Sequence, residues 1–139
     1  MAAIVEEAKG GFDAELAEKL GADEYGMKAY VIAFLKAGPN RDMTQEEAMK
    51  LQMEHLNNIQ RLADEGKLVV AGPFLDSGDL KGIYVFNVPT LEEAEALTET
   101  DPAIERGSLV MELHTWYGSA ALQEINRLHN TIMAKGIMD

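Results

Sequence analysis

The chain has 139 residues, a formal net charge of −12, 47% hydrophobic and 26% charged residues, and no cysteine. Its length suits one compact domain with some extra helix and a real core. The acidic balance argues against nucleic acid and anionic membrane surfaces as partners, because both are polyanions, and the missing thiols exclude disulfides, thiolate zinc sites and cysteine nucleophiles.

The opening stretch MAAIVEEAKGG is short of apolar residues and acidic where a signal peptide needs a basic region, so the cytoplasm is the default location. Residues 1–26 form a helical extension. Asp13 caps DAELAEKLG, Phe12, Leu16 and Leu20 line one side, and Gly21 stops it. Residues 28–36 (KAYVIAFLK) predict a first strand in which both alternating sets are apolar, Ala29/Val31/Ala33/Leu35 and Tyr30/Ile32/Phe34.

The longest helix follows over residues 44–66. Thr44 and Glu47 make a capping box and Gly66 stands just past the end. Ala48, Gln52, His55, Ile59 and Leu62 recur at steps of three and four, so one inward face carries a histidine. Residues 67–74 (KLVVAGPF) read as a second strand, DSGDLKG as a tight turn, and residues 82–88 (GIYVFNV) as a third strand paired to the second. Thr90 and Glu93 open a second helix, which Asp101-Pro102 ends, since a residue before proline is pushed out of helical geometry. Residues 108–116 (SLVMELHTW) form a fourth strand. A last helix starts near Ser119, with Leu122, Ile125, His129 and Ile132 on one face and Gly136 as its stop.

The order β-α-β-β-α-β is the ferredoxin-like arrangement, an α+β fold with both helices on one face of an antiparallel sheet. The domain spans residues 27–117, flanked by the N-terminal helical extension (1–26) and a C-terminal helix (118–139). Its first three strands are apolar on both sides, and an exposed apolar sheet face marks an interface. Either two copies pack face to face as a homodimer, or the terminal helices fold back over that face.

Few residues can carry chemistry. His55 is either a satisfied core histidine or a catalyst. Asp101, held extended by Pro102 beside the helix layer, can bond one ring nitrogen and leave the other free as general base or acid; otherwise it is a turn former. Gly72 inside a strand suggests a bulge or a close backbone approach, and Pro73 an interruption of pairing. Gly72, Pro73 and Phe74 are therefore the candidate substrate-binding strand end. Asp76, Ser77 and Asp79 are turn residues first and far from a calcium loop pattern. His114 alternates with Glu112 and Trp116 on a sheet face, and His129 reads as packed or half-buried. No histidines stand at a metal-ligand spacing, and no phosphate loop, GxSxG elbow or dinucleotide fingerprint is present, so neither metal nor cofactor is expected.

The helix bearing His55, the AGPF strand with its DSG turn, and the DPAIERG segment together resemble the YCII-related (YciI-like) family over about residues 27–116. The resemblance implies a ferredoxin-like dimer of the dimeric α/β-barrel group. It also implies that His55 and Asp101 form the active-site pair, with Gly72 and Pro73 matching the family's strand end. The best-understood relative type removes chloride from a hydroxylated aromatic ring. The resemblance thus implies a cofactor-independent lyase or isomerase acting on a small cyclic or aromatic metabolite. The alternatives are a non-catalytic dimer that binds a small ligand, or a buried His–Asp pair that only stabilises helix packing.

Overall fold

The computed structural model describes residues 11–136, so the leader reading of residues 1–10 lies outside the described residues. In chain order the elements are α1 (Ala14–Lys19), β1 (Met27–Ala37), α2 (Gln45–Asp64), β2 (Leu68–Pro73), β3 (Leu80–Phe86), α3 (Leu91–Thr98), α4 (Pro102–Arg106), β4 (Leu109–Ser119), a 3₁₀ turn (Ala120–Glu124) and α5 (Ile125–Ile132). The strands form one antiparallel sheet in the order β2-β3-β1-β4. This is the ferredoxin-like topology, with β1 and β3 central. Among the described residues no helix is long and apolar enough to cross a membrane.

Local signals start and stop the elements. The Thr44 hydroxyl accepts from the Glu47 amide at 3.1 Å while the Glu47 carboxylate accepts from the Thr44 amide at 2.9 Å, which satisfies two orphan donors of α2. Gly66, at φ 74°, then turns the chain out of the helix in a conformation that costs glycine little.

The core lies between the helices and one sheet face. Val31, Ala33 and Leu35 of β1, Tyr84 and Phe86 of β3, and Leu68 of β2 pack there with Leu62 of α2 and Ala94 of α3. Burial of this apolar area is what holds the helices down, at about 25 cal/mol per Å². The opposite face is only partly covered. The 3₁₀ turn puts Leu122 against Tyr30, Val69 and Val85, and Asn126 donates to the Leu68 carbonyl at 2.8 Å. Ile32 and Val70 are half-buried there, while Val110 and Trp116 of β4 are 44% and 41% exposed.

Several expectations change. Asp101-Pro102 does not only end a helix; it begins α4, with Asp101 as N-cap and Pro102 in the first turn. The fourth strand runs three residues further, to Ser119, held by pairing to Met27 of β1. The last helix stops at Ile132, short of Gly136, and His129 is exposed rather than packed. Gly72 is not a bulge. It pairs regularly with Ile83, and a side chain there would meet nothing within 4 Å. The sheet's irregularities fall instead between Leu68 and Val70 and between Leu35 and Lys36.

Candidate active site

His55 sits near the middle of α2, and its ring is buried because the helix face that carries Leu62 turns it toward the sheet. Asp101 reaches it from the α3–α4 junction. Extended backbone at Asp101 (φ −85°, ψ 119°), set by the following proline, points the carboxylate both forward and across. Forward, Oδ1 accepts from the Ala103 amide at 2.9 Å and caps α4. Across, both oxygens accept from His55 Nδ1, at 3.0 and 2.8 Å. Asp101 is fully buried, so this pair is shielded from water and from salt.

The carboxylate offers only acceptors, so Nδ1 carries the ring proton and Nε2 presents its lone pair. Nε2 points toward Tyr84, whose hydroxyl lies 3.3 Å away and donates to it. The two rings stack, with centroids 6.3 Å apart and planes 17° from parallel. Burial holds the Tyr84 hydroxyl well above the usual tyrosine range, and the Asp101 charge pushes the same way, so the phenol stays protonated.

A cavity of about 330 Å³ opens on this pair, lined by His55 and Tyr84 and walled by Leu35, Leu51, Leu56 and Ile59. Asp101 lies behind the ring and takes no part in the lining. Ala48 and Gln52, placed on the inward face by periodicity, do face in, but they border the cavity and so remain exposed. Of the candidate strand end only Pro73 reaches the lining; Gly72 and Phe74 do not, and Phe74 is 40% exposed. His114 lies far from the pair in the sheet, on the other face, bonded to Glu112 at 2.7 Å and edge-on to Phe34. That bond and Lys36 hold the Glu112 carboxyl down at about 2.

Sequence reasoning missed Tyr84, Arg41 and Lys81, all of which line the cavity. Tyr84 had a signal: it alternates with Gly82 and Phe86 along β3, so it shares the helix-facing side with a core phenylalanine. Arg41 had none, because it lies in the segment between β1 and α2 whose path no periodicity fixes.

The YCII-related domain model matches residues 30–116, which contain both His55 and Asp101. The chain belongs to the YCII-related domain family. A relative in Bacillus subtilis (strain 168), called "Uncharacterized protein YjpA", is 34% identical over 62 residues, 45% of this chain and 71% of that protein. Among solved structures, the 5-chloro-2-hydroxyhydroquinone dehydrochlorinase TftG from Burkholderia phenoliruptrix AC1100, in complex with 2,5-dihydroxybenzoquinone, is similar at 21% identity. It aligns with a TM-score of 0.47, over 64% of this chain and 93% of its own.

Proposed function

We propose that this YCII-related protein is a cofactor-independent enzyme of lyase or isomerase type, acting by proton transfer on a small cyclic or aromatic metabolite. The observation that carries the proposal is the buried Asp101 carboxylate on His55 Nδ1, with His55 and Tyr84, the partner of Nε2, both lining the cavity. In this reading the Tyr84 hydroxyl gives way at Nε2, which then takes a proton from a ring carbon made acidic by a neighbouring carbonyl. The C–H electron pair becomes a ring π bond, and either chloride leaves the adjacent carbon with the C–Cl pair, or the carbonyl π pair moves onto its oxygen to give an enolate that takes the proton back from Nε2 at another carbon. Asp101 fixes the tautomer and supports the imidazolium while the proton is held. Pro73 contributes to the wall, with Gly72 and Phe74 on either side of it at the rim.

The same reading makes the protein a homodimer through the open sheet face. Support comes from half-buried Ile32 and Phe34, exposed Trp116 and Val110, and the outward Ile125, Leu128 and Ile132 of α5, 40%, 57% and 73% exposed. A Phe34→Glu variant is then monomeric in sedimentation equilibrium where the wild type is dimeric; a monomeric wild type removes the dimer. A second reading, a dimer that holds a small ligand unchanged, draws on the Tyr84 hydroxyl already bonded to Nε2.

The deciding experiment incubates wild type and His55→Ala in D₂O with a panel of hydroxylated, chlorinated and keto six-membered ring compounds, followed by proton NMR and chloride release. His55-dependent exchange or elimination on at least one member is expected. Binding at the cavity with no His55-dependent chemistry transfers the conclusion to the ligand-holding reading.

A further inference from the structure

We infer that the cavity selects an organic anion, a monocyclic carboxylate, through Arg41 and Lys81. This rests on the cavity being the ligand site and adds the charge of what enters it. The chain carries 24 Asp and Glu against 12 Lys and Arg, so a random patch of its surface is acidic. The cavity lining is the reverse: it holds no Asp or Glu and two cations, Arg41 and Lys81. Asp101, the acid bonded to His55, is turned away behind the ring and engaged by the ring and the Ala103 amide.

Both cations are placed by backbone features rather than by surface chance. Arg41 Nη1 donates to the Ser108 carbonyl at 2.6 Å, which anchors the guanidinium beside the start of β4. That bond uses one of five N–H donors and leaves an edge for a carboxylate to accept two parallel bonds. Lys81 owes its place to the irregularity in β1–β3 pairing. Between Leu35 and Lys36 the partner on β3 steps from Gly82 to Leu80, so Lys81 is the extra residue of a bulge. Strict alternation would send it to the open face with Ile83 and Val85; a bulge breaks alternation and re-aims the side chain. Among the described residues no carboxylate lies within ion-pair distance of either cation, as is also true of Lys19, Lys28, Lys50, Lys67 and Lys135, but only Arg41 and Lys81 bring that free charge to the cavity. Apolar walls beside unpaired cations suit a ring bearing one anionic group.

The test uses benzoate and benzamide, matched in size and differing in charge, titrated separately into the full chain and followed by amide and side-chain NMR shifts. Benzoate is expected to shift His55 and Tyr84 and to bind about tenfold tighter than benzamide, a difference set by one charge-assisted contact. Arg41→Gln and Lys81→Met should each reduce that preference and their combination should erase it, and Lys81→Arg should retain it. Equal affinities with shifts at His55 and Tyr84 overturn the anion inference and leave the cavity as the ligand site. A preference that survives both neutral variants overturns it too. Absence of shifts at His55 and Tyr84 with either compound removes both the inference and the cavity reading beneath it.

Discussion

Replacing Asp101 separates its two jobs, because alanine and asparagine fail differently. Asp101→Ala removes the α4 cap, worth about 0.5–2 kcal/mol. It also strands the His55 Nδ1–H in a buried site, at about 1–3 kcal/mol. With one carboxylate serving both bonds the terms overlap, so a total loss of about 2–4 kcal/mol is expected. Asp101→Asn keeps an oxygen for the Ala103 amide, now 2.9 Å from Oδ1. Its amide nitrogen replaces Oδ2 opposite Nδ1, and the ring answers by moving its proton to Nε2, accepting at Nδ1 and donating to the Tyr84 oxygen. The ring and the Asn side chain stay satisfied, while the Tyr84 hydroxyl, now accepting, must turn its own hydrogen to the cavity it lines, so the loss should be under about 1.5 kcal/mol. Urea unfolding followed by circular dichroism, with linear extrapolation, measures both. The Asn variant should be folded and nearly as stable as wild type, yet lack a base at Nε2. Equal losses for Ala and Asn, or a loss below about 0.5 kcal/mol for Ala, would refute the cap-and-tautomer argument.

Two further outcomes follow from the packing. Tyr84 has its folded-state proton affinity raised above the ordinary value of 10.0, so above that pH the folded protein holds a proton that the unfolded chain releases. Its contribution is fully present below about pH 10 and falls as pH rises further; Tyr84→Phe should flatten part of the alkaline loss in urea midpoint relative to wild type. Leu62, 1% exposed in the centre of the core, should cost about 2–5 kcal/mol as Leu62→Ala in the same assay, because the cavity it leaves cannot collapse against a sheet.

What was legible in the sequence was what is decided locally. The Thr44–Glu47 box, Gly66 and the alternation of β1 each act within a few residues, and each appears where periodicity put it. The inward placing of His55 was legible from periodicity, whereas its pairing with Asp101, which the residues alone left open and the family resemblance implied, is seen only in the fold, at hydrogen-bond distance. Asp-Pro was ambiguous by nature: the geometry that stops one helix also starts another, and only the chain's path after Ile104 decides. Lys81 was hidden because a bulge depends on the register between two strands, which neither strand specifies alone. Of the Gly72–Phe74 strand end, read from a glycine and a proline inside a strand, Pro73 lines the cavity. Pro73 on edge strand β2 needs no site to explain it, because its missing amide faces no partner strand.

The central claim is that Asp101 holds His55 with its proton on Nδ1 and its base at Nε2. A long-range proton–nitrogen NMR spectrum of the neutral imidazoles tests this directly. Only three histidines contribute, and a His55→Gln variant assigns the one that matters. The account predicts a protonated Nδ1 and an unprotonated Nε2 for His55, inverted in Asp101→Asn. A wild-type ring with its proton on Nε2 would contradict it.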